Sequence, residues 1–150
     1  MGKIAIGFFY FSMYKGGDFI KQKGQRVKSK GQMEADISNA ITKFELEYMG
    51  RGPKETKTYI VDDMIVVRLK GVLTDAEKHL TKTHEGRDLI KKVRATMLES
   101  AKDLLARVIG DITGADVISL HTDISTHTGE RVIIFTLSGS MDRKKVMSNG

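Results

Sequence analysis

Residues 58–69 read TYIVDDMIVVRL. Two runs of β-branched and apolar residues, 58–61 and 64–69, flank Asp62-Asp63. Such runs around two short polar residues predict a tight β-hairpin, although Asp-Asp is a weaker turn signal than Asn-Gly. The hairpin is apolar at nearly every position, and Met64 to Val67 has no polar interruption. Strands apolar on both faces require cover on both.

Upstream, Met33, Ile37, Ala40, Ile41, Phe44 and Tyr48 recur at spacings of three and four. That spacing predicts a helix over residues 33–49 with one buried face. Gly50 follows as a left-handed cap, and Pro53 prevents continuation. Downstream, Thr74-Asp75-Ala76-Glu77 has capping-box form, so a short helix is expected to about residue 82. A long helix is expected over residues 85–113, burying Leu89, Val93, Met97, Leu104, Val108 and Ile112 on a face widened by Ile90, Ala101, Leu105 and Ile109, with Gly114 closing it. Residues 117–120 and 132–137 read as two further strands around a polar loop, 122–130.

The element order is α-β-β-α-α-β-β. Helix, glycine, strand, turn, strand occurs twice and suggests an internal duplication. The expected fold is α+β: a four-stranded, mainly antiparallel sheet with two main helices on one face. A second copy of the chain would cover the other face, so a homodimer is expected.

Residues 1–31 differ from the rest. The run IAIGFFYFSMY at 4–14 is followed by KGGDFIKQKGQRVKSKG. Lys3, Lys15, Lys21, Lys23, Arg26, Lys28 and Lys30 oppose Asp18 alone, so residues 1–32 carry the whole net charge of +6. The organisation expected is a basic, partly aromatic extension (1–31), a domain (32–138) and a polar tail (139–150). Lys21, Lys23, Arg26, Lys28 and Lys30 are the candidates for a nucleic-acid or anionic-lipid surface. No run reaches the roughly 20 apolar residues of a membrane-spanning helix. The chain has no cysteine, which excludes disulfides, thiolate zinc sites and a cysteine nucleophile. A cytoplasmic location is expected. Five Asn and Gln among many charged residues lean toward a thermophile.

Four constellations are candidate sites. Arg51 between Gly50 and Gly52, with Lys54 and Lys57 nearby, suits an anion or an acidic partner; the competing reading is helix-stop chemistry. His121, Asp123 and His127 offer two imidazoles and a carboxylate to a metal, but at no standard spacing and in a polar loop. Asp62-Asp63 is a turn pair before it is a carboxylate pair. Arg87 and Arg94, seven residues apart, read as a solvated helix face. No nucleophile–base pair and no phosphate loop is visible, and no cofactor is implied.

From residue 29 to residue 137 the chain resembles the MpsC-like family. The resemblance rests on GQMEADISNAI, YMGRGP at 48–53, YIVDDMIVVRLKGVLTDAEKHL, EGRDLI with Arg94, and ITGADVISLHTDISTHTGERVIIFTL. The family is named for the third subunit of a proposed sodium-translocating, membrane-potential-generating system. The resemblance therefore implies a soluble accessory subunit, with membrane-associated transport subunits as partners. The expectation is a non-enzymatic assembly domain. Nucleic-acid or anionic-surface binding through the basic arm is the first alternative. A small-anion or metal-dependent enzyme is the second.

Overall fold

The computed structural model describes residues 28–142, and its order is helix α1 (Lys30–Met49), strands β1 (Glu55–Val61) and β2 (Met64–Lys70), helices α2 (Asp75–Leu80), α3 (His84–Ser100) and α4 (Lys102–Thr113), and strands β3 (Val117–Ile124) and β4 (Arg131–Leu137). The strands form one sheet in the order β1-β2-β4-β3, antiparallel throughout. Each hairpin follows a helix that ends on a left-handed glycine, Gly50 and Gly114, both at φ 76°. The second strands of the two hairpins pair at the centre of the sheet. The expected fold class and element order are those observed.

Ser29 caps α1, its side chain accepting from the Gln32 N–H. The buried face of α1 is Met33, Ile37, Ala40, Ile41, Phe44 and Glu45. On the inner face of the sheet Ile60, Ile65, Val67, Leu69, Ile133, Phe135 and Leu137 alternate with outward residues, the period-2 pattern of a half-covered sheet. Asp62, at φ 57°, is the first of the two turn residues between β1 and β2. The Asp62 and Asp63 carbonyls accept from Met141 and Leu137, so this turn is a structural anchor for the end of β4.

Three expectations fail in detail. The long helix is two helices, broken at Ala101 (φ −102°, ψ 8°). Alanine itself favours helix. Just before the break, however, Thr96 Oγ donates to the Lys92 carbonyl and Ser100 Oγ to that of Met97, and such back-bonding bends helices. The buried face of α3 is also rotated: Ile90, Arg94 and Leu98 point inward, while Leu89 and Val93 are 51% and 45% exposed. Arg94 turns inward because its partners lie in the core. Finally, β3 extends to Ile124, so His121 and Asp123 lie on a strand and not in the loop.

Candidate functional site

The core holds three charged side chains, and a fourth, Glu77, stands at its margin. Arg94 and Arg131 are each 1% exposed, as is Glu45 of α1. One Glu45 oxygen accepts from Arg131 Nη1 at 2.8 Å, and the other from Arg94 Nη1 at 3.3 Å. Arg94 also grips Glu77 through Nε and Nη2, both at 2.7 Å, and donates to the Val72 carbonyl at 2.8 Å. Arg131 adds the Thr122 hydroxyl and the Arg94 carbonyl. Two cations meet two anions, and both guanidinium forks are filled.

Glu77 closes the capping box with Thr74 while it holds Arg94. Burial opposes its ionisation, but the hydrogen bonds and charge of Arg94 and the Thr74 amide outweigh this and hold its carboxyl below the usual range. Burial likewise opposes the charge on Arg94, and Glu77 and Glu45 outweigh it. The network ties α1, the segment after β2, α2, α3 and β4 together. Arg94 is thus a buried structural ion-pair member and not part of a solvated face. The signal was present in the sequence: Arg94 lies at four-residue spacing between Ile90 and Leu98, and Arg131 shares the parity of Ile133, Phe135 and Leu137.

Beside the network opens a cleft of about 240 Å³ between the α1–β1, β2–α2 and β3–β4 connections. Arg51, Lys54 and Lys78 supply positive charge to its wall, and Thr81, Thr126 and Thr128 supply hydroxyls. Arg51 does not project freely: Nη1 donates to the Leu73 carbonyl at 2.7 Å, which fixes the guanidinium in the wall. Lys54 lies across Gly71, where an added Cβ would sit 2.7 Å from Lys54 Cγ. Gly71 has φ 66°, so both the turn and the close approach require glycine there.

The cleft brings together candidates that the sequence placed in two different sets. Arg51 and Lys54 line it, and so does His127 from the β3–β4 loop. Gly52 lies beside it in the chain, whereas Lys57 is on the outer face of β1, paired with Glu55 at 3.2 Å. His121 and Asp123 stay on β3, where His121 meets Ser119 Oγ at 3.1 Å and Asp123 pairs with Lys91 at 3.3 Å. Among the described residues no three His, Asp or Glu side chains gather as metal ligands do. Lys78, Thr81, Thr126 and Thr128 escaped sequence reasoning because α2 and the β3–β4 loop, far apart in the chain, deliver them. Lys28 pairs with Asp36 at 2.6 Å and Lys30 with Asp142 at 3.9 Å. Lys21, Lys23, Arg26 and the aromatic run lie outside the described residues.

The second surface is the outer face of the sheet, which no helix among the described residues covers. One row across it is Tyr59, Val66, Ile134 and His121; the next is Val61, Met64, Thr136 and Ser119. Tyr59 and Val61 are 43% and 56% exposed. A third row runs Lys57, Arg68, Val132 and Asp123, cationic at the β1 side and anionic at the β3 side. Among the described residues no helix is long and apolar enough to cross a membrane.

Comparison with known proteins adds a family. The family model for the Na+-translocating membrane potential-generating system (MpsC) matches residues 29–139. The uncharacterized protein YbcI of Bacillus subtilis (strain 168) is 46% identical over 116 residues, covering 77% of this chain and 94% of YbcI. The uncharacterized protein YrhF of the same organism is 26% identical over 114 residues, covering 73% of this chain and 91% of YrhF. No solved structure matches significantly. With a match that takes in both helix–hairpin halves, the buried Glu45–Arg94–Arg131 network and the cleft, the chain belongs to the MpsC family.

Proposed function

We propose that this chain is a non-enzymatic assembly module. It pairs with a second copy of itself through the outer face of the sheet, and the pair serves as an accessory subunit of a membrane-associated sodium-transport system. The apolar face that the described residues leave uncovered supports the reading: Tyr59, Val61, Met64, Val66, Val132 and Ile134 lie side by side on strands whose opposite face is the core.

The face is self-complementary. A two-fold axis parallel to the strands sets β1 of one copy over β3 of the other and β2 over β4. Lys57 then faces the partner's Asp123, and Val66 meets the partner's Ile134. Four strands about 4.8 Å apart and seven residues of about 3.3 Å each give roughly 440 Å² of planar area a side. The two sides together stand at the small end of specific interfaces, so the dimer is expected to dissociate in the micromolar range. The sodium-transport link is supported by the family description alone.

Sedimentation velocity of the full chain from about 1 to 100 µM should show a monomer–dimer equilibrium. Val66→Lys, at the centre of the face, should abolish it. A wild-type monomer throughout would refute the assembly reading. Loss of the gene should lower sodium-dependent membrane potential in cells; an unchanged potential would refute the transport link.

A further inference from the structure

We propose that the cleft between Arg51, Lys54 and Lys78 binds a phosphate-bearing group. Two cations of the α1–β1 connection, Arg51 and Lys54, and one of helix α2, Lys78, line its wall, and among the described residues the wall holds no carboxylate. Among the described residues neither Arg51 nor Lys54 has a carboxylate within ion-pair distance. Lys78 has Asp75 at 3.5 Å, whose side chain is 94% exposed and lies outside the wall. Uncompensated like charges around one small space repel one another, and an anion there removes the repulsion.

The geometry selects a tetrahedral oxyanion. Arg51 Nη1 is committed to the Leu73 carbonyl, which fixes the guanidinium plane and leaves Nε and Nη2 as a preoriented pair of donors. The lack of a side chain at Gly71 lets the Lys54 stem lie across the turn that follows β2, which places that side chain in the wall. Thr126 and Thr128 bring hydroxyls from the β3–β4 loop, whereas the Thr81 hydroxyl at the end of α2 donates to the Lys78 carbonyl at 2.6 Å. Three positive charges and the two hydroxyls of Thr126 and Thr128 match the two charges and three terminal oxygens of a phosphate monoester better than the single charge of a carboxylate. At about 240 Å³ the cleft is smaller than the roughly 300 Å³ at which pockets for drug-sized ligands begin. It therefore admits the phosphate and a short attachment, with the rest of the ligand outside. A free phosphate ester and a phospholipid headgroup both present that chemistry.

The test uses the full chain, ¹⁵N-labelled, titrated with inorganic phosphate, and in parallel its flotation with vesicles of phosphatidic acid or of phosphatidylcholine. The variants are Lys54→Glu and Lys78→Glu, both exposed positions, with circular dichroism to confirm the fold. Each should weaken binding about tenfold or more, the effect of losing one charge-assisted contact. Arg51→Lys, which retains the charge and loses the fork, should weaken it less. Saturable phosphate shifts at Lys54, Thr128 and Gly129 that disappear in both variants support a free phosphate ligand. Flotation with phosphatidic acid alone, lost in both variants, supports a headgroup. No phosphate binding at millimolar concentration together with flotation unchanged by either variant overturns the proposal. Phosphate shifts that persist in Lys54→Glu and Lys78→Glu overturn it equally. The cleft and the outer sheet face share no residue, so a failed dimer test leaves this result standing.

Discussion

Replacing Glu45 by alanine removes the carboxylate that Arg94 and Arg131 share. The two arginines are affected unequally. Arg94 keeps both bonds to Glu77 and one to the Val72 carbonyl. Arg131 loses its only carboxylate among the described residues and retains the Thr122 hydroxyl and the Arg94 carbonyl. Its guanidinium stays charged, because arginine does not lose its proton under these conditions. A 1%-exposed cation is thereby stranded, and removing one partner of a buried pair costs about 3–5 kcal/mol. A domain of this size has a total stability of about 5–15 kcal/mol, so the loss is a large fraction of it. At about 3–4 °C per kcal/mol, Tm should fall by about 10–20 °C. The assay is urea and thermal denaturation followed by circular dichroism. The second arm is Glu45→Ala with Arg131→Met, which removes the stranded charge and should recover at least half of the loss. A loss below about 1 kcal/mol, or no recovery in the double variant, would show that water reaches the network and that it is not a buried ion cluster.

Gly86→Ala should destabilise the fold by about 3 kcal/mol or more, because the new Cβ would lie 1.9 Å from the Leu80 carbonyl oxygen and backbone must move; an unchanged urea midpoint would contradict this. Gly50→Val should cost about 1–2 kcal/mol from left-handed strain alone, since nothing lies within 4 Å of its Cβ, and the same urea titration measures it. Glu77 has a folded pKa below its unfolded value. Its stabilisation should therefore be complete above about pH 4.5 and vanish as pH falls through the lower folded value. Glu77→Gln should flatten stability against pH in that acid window, and an identical slope in wild type and variant would show that another carboxylate carries it.

The fold was legible because its signals are local. The three- and four-residue spacing from Met33 to Tyr48, the Thr74–Glu77 box and the Asp62-Asp63 turn each fix an element without reference to the rest of the chain. The rotation of α3 was not legible from hydrophobicity, because the residue that sets it, Arg94, is charged and its partners Glu45 and Glu77 are 49 and 17 residues away. The break at Ala101 was hidden for a related reason: an alanine between two apolar stripes reads as continuous helix, and the bend comes from hydroxyls at Thr96 and Ser100. Of the cleft, Arg51 and Lys54 stood out as cations beside a glycine-rich helix stop. Lys78 and the β3–β4 threonines did not, because only the antiparallel pairing of β2 with β4 brings that loop beside the β2–α2 connection.

Assembly through the outer sheet face is tested most directly by the solvent contact of its methyl groups. Paramagnetic relaxation by a small soluble agent can be measured on methyl-labelled full-length protein at high and low concentration. Leu89 and Val93, exposed on α3 away from the sheet, are the internal reference for free methyls. The account predicts that at high concentration Val61, Val66, Val132 and Ile134 are relaxed far less than Leu89 and Val93, and that dilution raises their relaxation toward the reference. Val61 relaxed as strongly as Leu89 at every concentration would mean that the face stays open to water, and would contradict the account.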